Sequence, residues 1–392
     1  MQSIKDKVAI VGMGCCKFGE LWDKGCDDLI IEAAYEAYED AGIEPKDIQA
    51  AWVGTLYSGM AGSILSEPLK LNRIPVTRVE NFCATGHEAL RNACFGVASG
   101  MYDIVLALGV DKLKDTGVGG LPVGRGTHPV LESRRSAPGT FAFIATRYFY
   151  TYGLSPEEGK KTIAKISMKS HHNGSLHPKA HFRRDVTLEQ VIKAPLIVWP
   201  LGLFDCCPTT DGAACAILVR AEDARKFRQD PIYIKGIGLS TNQSLPHFEP
   251  GFDWTGFEMN REAARQAYEQ AGIKDPRKEL SLAEVHDCFS ITELIDYEDL
   301  GFSPKGRAKE DIDAGTFTLE GELPVQPDGG LKSFGHPIGA SGIRMTYECY
   351  KQLQGKAELP ERQLKNARLG LSHTLGGPPQ VACVTIVGNS LG

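Results

Sequence analysis

Glu32 to Ile43 reads EAAYEAYEDAGI, and Glu262 to Ile273 reads EAARQAYEQAGI. Glu, Ala and Ala, then Ala, Tyr and Glu, then Ala, Gly and Ile recur at the same places. Such Ala-rich runs ending in Gly predict helices closed by a left-handed glycine cap. Each copy follows an apolar, Gly-containing run, KVAIVGMG in one case and IYIKGIGLS in the other. Each precedes a strand-like run, IQAAWVG or LSLAEVHD. Strand, long helix, strand therefore occurs twice. That order predicts a duplicated α/β domain, and strands alternating with helices predict a mostly parallel sheet.

The match continues outward. NFCATGHEALRNACFGVASG leads into YDIVLALGV in the first half. GGLKSFGHPIGASGIRMTYECYKQL leads into NARLGLSHTLGG and QVACVTIVG in the second. Between the halves, Asp111 to Pro208 is rich in Gly, Pro, Arg and aromatics and reads as an inserted cap. TDGAACAILVR then reads as a buried strand completing the first half. The expected division is 1–115 for the N-terminal half, 116–207 for the cap, 208–228 for the completing strand and 229–392 for the C-terminal half.

The chain has 392 residues, 42% of them hydrophobic, which is enough for two core-bearing halves. Its net charge of −6 comes from mixed signs with no basic block, which excludes nucleic acid as a partner. No apolar run reaches the roughly 18 residues of a membrane span, and the first residues, MQSIKDKVAIVG, lack a signal-peptide pattern. A cytoplasmic protein without membrane contact is the expectation. The 11 cysteines include the adjacent pairs Cys15–Cys16 and Cys206–Cys207 and no CxxC, which indicates reduced thiols, most of them core residues. The GxG of VAIVGMG lacks a third glycine in place and an acid on the next strand, which argues against a dinucleotide site. His171, His172, His177 and His181 fit no ligand spacing and read as a polar edge of the cap, so no metal is expected.

Three segments carry chemistry. Cys83 precedes small residues, Ala84, Thr85 and Gly86, at an expected helix start. A helix N-terminus and a nearby imidazole both favour a thiolate, and small neighbours let a thioester carbonyl approach backbone amides. His336, in FGHPIGASG, sits on a tight loop entering a helix, fixed and able to exchange protons. His286 and Cys288, in EVHDCFS, lie two apart and share a side if strand geometry persists.

Together with the C-terminal SHTLGG turn, these segments resemble the thiolase superfamily in motif and order, over essentially the whole chain. The HDCF form resembles the sterol-carrier-protein type and archaeal thiolases. The resemblance implies a duplicated thiolase fold, α/β, with two βαβ-type halves packed as a layered core and an inserted cap. It implies that Cys83 attacks the 3-keto carbon of a 3-oxoacyl-CoA, that His336 activates it, and that His286 takes the place of the family's oxyanion-hole Asn. His373, where relatives keep a second cysteine, and Gly376 and Gly377 are expected to line the substrate and its oxyanion. Cys288 is the expected second acid/base, with His373 its competitor. No permanently bound cofactor is implied; CoA is a co-substrate. The implied reaction is CoA-dependent cleavage or the reverse Claisen condensation. Arg134, Arg135, Arg147 and the aromatics of the cap suggest a bulky aromatic acyl group, such as that of benzoylsuccinyl-CoA. The alternatives are a retro-aldol lyase acting on a 3-hydroxyacyl-CoA and a non-catalytic acyl-CoA scaffold subunit. A homodimer and a small OB-fold, rubredoxin-like zinc protein are the implied partners.

Overall fold

A computed structural model describes residues 3–117, 136–243, 251–377 and 379–392. The strands, in chain order, are β1 (Val8–Cys15), β2 (Ala50–Gly54), β3 (Val76–Val79), β4 (Ile104–Asp111), β5 (Leu196–Val198), β6 (Leu201–Gly202), β7 (Gly212–Arg220), β8 (Ile232–Thr241), β9 (Leu282–Glu284), β10 (Leu369–Gly376) and β11 (Val381–Gly388). The longer helices are α1 (Cys26–Ala41), α2 (Thr85–Ala98), α3 (Ala137–Thr151), α4 (Pro156–Ser175), α6 (Glu258–Ala271), α8 (Ser290–Asp299) and α11 (Ile338–Leu353). Short α5 (Leu188–Lys193), α7 (Pro276–Glu279), α9 (Ala308–Asp313) and α10 (Gly330–Ser333) lie between them.

Among the described residues, nine strands form one sheet in the order β3-β2-β4-β7-β1-β8-β11-β10-β9. The two halves meet where β1 pairs with β8, a ladder of only Ala9↔Tyr233 and Ile10↔Ile232. Outward from that seam, β7, β4 and β2 on one side answer β11, β10 and β9 on the other. The expectation of a mostly parallel sheet is corrected. Only β2/β3, β2/β4 and β9/β10 run parallel. The pairs β4/β7, β7/β1, β1/β8, β8/β11 and β11/β10 run antiparallel. Two connections cause this. The cap returns the chain to the sheet at the end where β4 leaves it, with Gly212 of β7 opposite Asp111, and β10 and β11 are joined by a tight turn, which can only link antiparallel neighbours.

The repeated helices sit where their sequence predicts, with Gly42 and Gly272 at φ +68° and +83° as left-handed caps. The glycines of the preceding strands have a packing role. A Cβ on Gly14 would lie 2.1 Å from the Ala33 carbonyl oxygen, and one on Gly238 would lie 1.9 Å from that of Ala263. The GxG motifs thus let Ala-faced helices touch the sheet backbone at equivalent places in both halves.

The cap packs mainly on the second half. Phe141, Tyr148 and Phe149 of α3 and Ile163 and Ile166 of α4 share a core with Ile291, Leu294 and Ile295 of α8. The aromatics of α3 thus serve largely as core. Arg147 is exposed and stacks on Tyr150, 5.6 Å from its ring centre; Arg134 and Arg135 lie outside the described residues. No helix of the described residues is long and apolar enough to cross a membrane.

Candidate active site

Cys83 stands two residues ahead of α2, and His336 stands two residues ahead of α11. The turn before α2 is held by Asn81 N–H donating to Thr85 Oγ1 at 2.8 Å and Ala84 N–H donating to the Asn81 carbonyl at 3.0 Å. Phe82 takes the left-handed conformation, φ +50°, to turn Cys83 inward. For a bulky residue this conformation costs energy and persists only where its surroundings enforce it. The small residues behind the cysteine have a further reason. A Cβ on Gly86 would lie 2.8 Å from the Gly339 carbonyl oxygen and 3.0 Å from the Gly342 nitrogen. The first turns of α2 and α11 therefore press directly together.

Asp111, at the end of β4, fixes the start of α11 by accepting from Gly339 N–H at 2.6 Å, while its other oxygen accepts from Thr55 Oγ1 and Tyr57 N–H. On α11 the Ser341 hydroxyl donates to the Pro337 carbonyl at 2.9 Å, and the same oxygen lies 2.7 Å from His336 Nδ1. One hydroxyl has one proton to give. Nδ1 of His336 is therefore the N–H donor, and Nε2 carries the lone pair. That Nε2 is buried and has no hydrogen-bond partner, and the same is true of His286 Nδ1. Cys83, His286 and His336 each contribute one N or S atom to a cluster whose members all lie within 4.8 Å of one another. The same three atoms could also chelate a soft divalent ion.

Burial dominates the electrostatics. It pushes the Cys83 thiol up to about 12, against the lowering effect of the Gly377 backbone amide. Burial, helped by the Arg344 guanidinium, brings His336 down to about 3. The expected thiolate at a helix end is thus a neutral thiol at rest, facing a neutral imidazole. Burial and then the neighbouring His336 also hold His286 neutral.

β9 ends at Glu284, so His286 and Cys288 lie on the connection into α8. Cys288 is buried, 3.7 Å from Thr292 Oγ1, with its thiol pushed well up by burial and then by Cys207 and Cys83. Cys207, read as half of a core pair, thus belongs to the same group of thiols. Its N–H donates to the Cys288 carbonyl at 2.9 Å. Gly376 and Gly377 adjoin the cysteine turn, where a Cβ on Gly376 would lie 2.7 Å from the Asn81 carbonyl oxygen. The His373 ring does not join the cluster. Its Nδ1 accepts from the His286 backbone N–H at 3.4 Å, and its Nε2 lies 3.1 Å from Asn260 Oδ1. Asp296 lies 3.5 Å from the same ring.

One buried charge network is not foreseen from the sequence. Asp287, between His286 and Cys288, turns the other way. Its carboxylate accepts from Leu331 N–H at 2.6 Å and pairs with Lys332 at 2.6 Å. Lys332 also pairs with Glu293 at 2.8 Å, and Glu293 with Lys169. This wholly buried chain ties the HDCF segment to the GGLKSFGHP segment. The alternation of side chains along HDCF was the available signal. The cap histidines form no common cluster. His172 pairs with Asp185 at the surface, and His181 bonds Thr210. His177 lies beside Glu348 and Glu358. His177 Nδ1 accepts from Lys179 N–H at 3.1 Å.

Residues 8–120 match the family model for the thiolase N-terminal domain, and residues 242–389 match that for the thiolase C-terminal domain-like family. The chain is 38% identical over 387 residues to an acetyl-CoA acetyltransferase of Methanothermobacter thermautotrophicus, covering 97% of this chain and 98% of that one. It is 33% identical to sterol carrier protein 2 of Gallus gallus, covering 94% of this chain and 70% of that one. Among solved structures, the Ltp2-ChsH2(DUF35) aldolase superposes with a TM-score of 0.86 at 23% identity, covering 99% of each chain. That likeness is one of fold.

Proposed function

Because the chain belongs to the thiolase superfamily, where it is an acyltransferase working on acyl-CoA with CoA as co-substrate, we propose that it cleaves a 3-oxoacyl-CoA through an acyl-Cys83 intermediate. The observation that carries the proposal is the convergence of Cys83 with the His336 ring, whose Nε2 has no other partner. The thiol of Cys83 adds to the 3-keto carbon as its proton passes to that nitrogen. His286 and the backbone amide of Gly377 face the oxygen that gains charge, the usual route to a lowered barrier in acyl transfer. The C2–C3 bond then breaks. The acyl group stays on Cys83 as a thioester, and the departing CoA enolate takes a proton on its α-carbon from Cys288. A second CoA thiol gives its proton to the Cys288 thiolate and attacks the thioester, and His336 returns its proton to the Cys83 sulfur as that sulfur leaves. Every step reverses as a Claisen condensation.

A bulky aromatic acyl group, of the benzoylsuccinyl-CoA kind, is the finer reading. It is supported by an aromatic-walled cavity beside Cys207. A homodimer and a small zinc-bearing OB-fold partner are further parts of the proposal. The aldolase assembly keeps the retro-aldol alternative in view, but such chemistry has no use for an attacking thiol paired with a free imidazole nitrogen. The test is incubation with a 3-oxoacyl-CoA without free CoA. One acyl mass should appear on the peptide holding Cys83, and Cys83→Ala should lose CoA-dependent cleavage. Cleavage by Cys83→Ala at the parent rate would refute the reading, and full turnover by the chain alone would refute the need for a partner.

A further inference from the structure

Within the cap, against Phe289 of the segment leading into α8, lies a cavity of about 600 Å³, a size within the range of ligand sites. Its walls are mainly apolar: Pro138, Phe182, Phe204 and Phe289 supply much of the surface. Two cations, Arg184 and the buried Lys332, also line it, and one uncharged polar side chain stands out. His171, on α4, lines the cavity at 3% exposure. The Phe204 ring meets it edge-on at 5.1 Å, and Phe182 lies at 6.1 Å. Among the described residues its ring nitrogens take part in no hydrogen bond or ion pair. Its nitrogens are not among the sealed, unpartnered atoms, so the ring opens onto the cavity and can meet a hydrogen-bond partner held there.

The cavity also reaches the chemistry. Cys207 lines it, its N–H donates to the Cys288 carbonyl at 2.9 Å, and Cys83 lies near enough to disfavour ionisation of its thiol. Phe289, which follows Cys288, forms another wall. We propose that this cavity holds the far end of the acyl group carried by Cys83, and that His171 hydrogen-bonds an oxygen on it. The substrate class is a 3-oxoacyl-CoA whose acyl group is an aryl or similarly flat ring bearing a hydroxyl or carbonyl remote from the thioester. The flat ring lies among the phenylalanines. The remote oxygen meets an imidazole that burial and Lys332 keep neutral, so one donor and one acceptor are on offer.

This inference rests on the thiolase reading, and the test separates the two. Two matched probes are used, 3-oxo-3-phenylpropionyl-CoA and its 4-hydroxyphenyl counterpart, with acetoacetyl-CoA as a short third substrate for the wild-type protein. The wild type should prefer the hydroxylated probe by about tenfold in kcat/KM, the worth of one good neutral hydrogen bond. In His171→Leu that ratio should fall to about one. In His171→Gln, which keeps a donor and an acceptor, it should stay above threefold, and this second variant decides the matter if His171→Leu does not fold. A preference unchanged in both variants, or no preference in the wild type, overturns the His171 inference while acetoacetyl-CoA cleavage leaves the thiolase reading standing. No cleavage of any of the three overturns both.

Discussion

Alkylation of Cys83 by iodoacetamide should have no plateau at neutral pH. Burial puts its thiol at about 12, so at pH 8 about one molecule in 10⁴ carries the thiolate, against about one in four for a free cysteine of pKa about 8.5. Higher basicity makes each thiolate more nucleophilic; with a Brønsted slope of about 0.45, the gain over this interval is about 40-fold. The two effects together leave Cys83 roughly 50-fold less reactive than a free thiol at pH 8. Its rate should climb about tenfold per pH unit from pH 6.5 to 9.5, because His336, held at about 3, stays neutral throughout and creates no bend. The assay follows the mass of the peptide containing Cys83 over time at each pH, which separates it from the other ten of the 11 cysteines. A plateau below pH 9 would reveal a preformed thiolate–imidazolium pair and refute the reasoning from burial. The proton would then leave before the substrate arrives, and not during attack.

Cys288→Ala should slow exchange of substrate α-protons with deuterated water, and overall turnover, by roughly 10²–10⁴-fold, the usual worth of a general acid/base, while leaving acylation of Cys83 largely intact. His373→Ala should cost much less in the same exchange assay, since its ring faces Asn260 and Asp296; the reverse ranking would assign the proton to His373. Asp287→Ala should lower stability by about 3–5 kcal/mol, because it strips a partner from wholly buried Lys332 and two backbone amides. With about 2.1 cal/mol/K of unfolding entropy per residue, that is a drop of roughly 4–6 °C in Tm by calorimetry. An unshifted Tm would show that the network contributes little.

Much of the site was legible because its residues are local punctuation. A cysteine before small residues, a histidine between Gly and Pro, and the HDCF segment each announce themselves within a few positions, and the structure gathers Cys83, His286 and His336. The near-identical helices announced the duplication. What stayed hidden depends on long-range contacts. Nothing within TDGAACAILVR states from which end the strand enters the sheet. Lys332 looks like any exposed lysine until Asp287 and Glu293 are seen around it. Cys207 resembles other apolar-context cysteines and gains meaning only beside Cys83 and Cys288. His373 occupies a suggestive place in the chain, but an inward-facing position on β10 commits its ring to α6 and α8. The thiolate expected from the helix end was outweighed by desolvation, a quantity that sequence spacing does not measure.

Cys83 and His336 hold the same station in their respective halves, each two residues before a helix whose first turn abuts the other. In an isologous pair of identical subunits, equivalent residues face each other across the dyad, so one gene can place only like against like at that point. Fusing the copies into one polypeptide lifts that degeneracy. One copy can keep sulfur while the other keeps nitrogen, and the two can diverge without either mutation being doubled. The reactive pair is thus a broken symmetry: a dimer's meeting point turned into unlike partners by a covalent link.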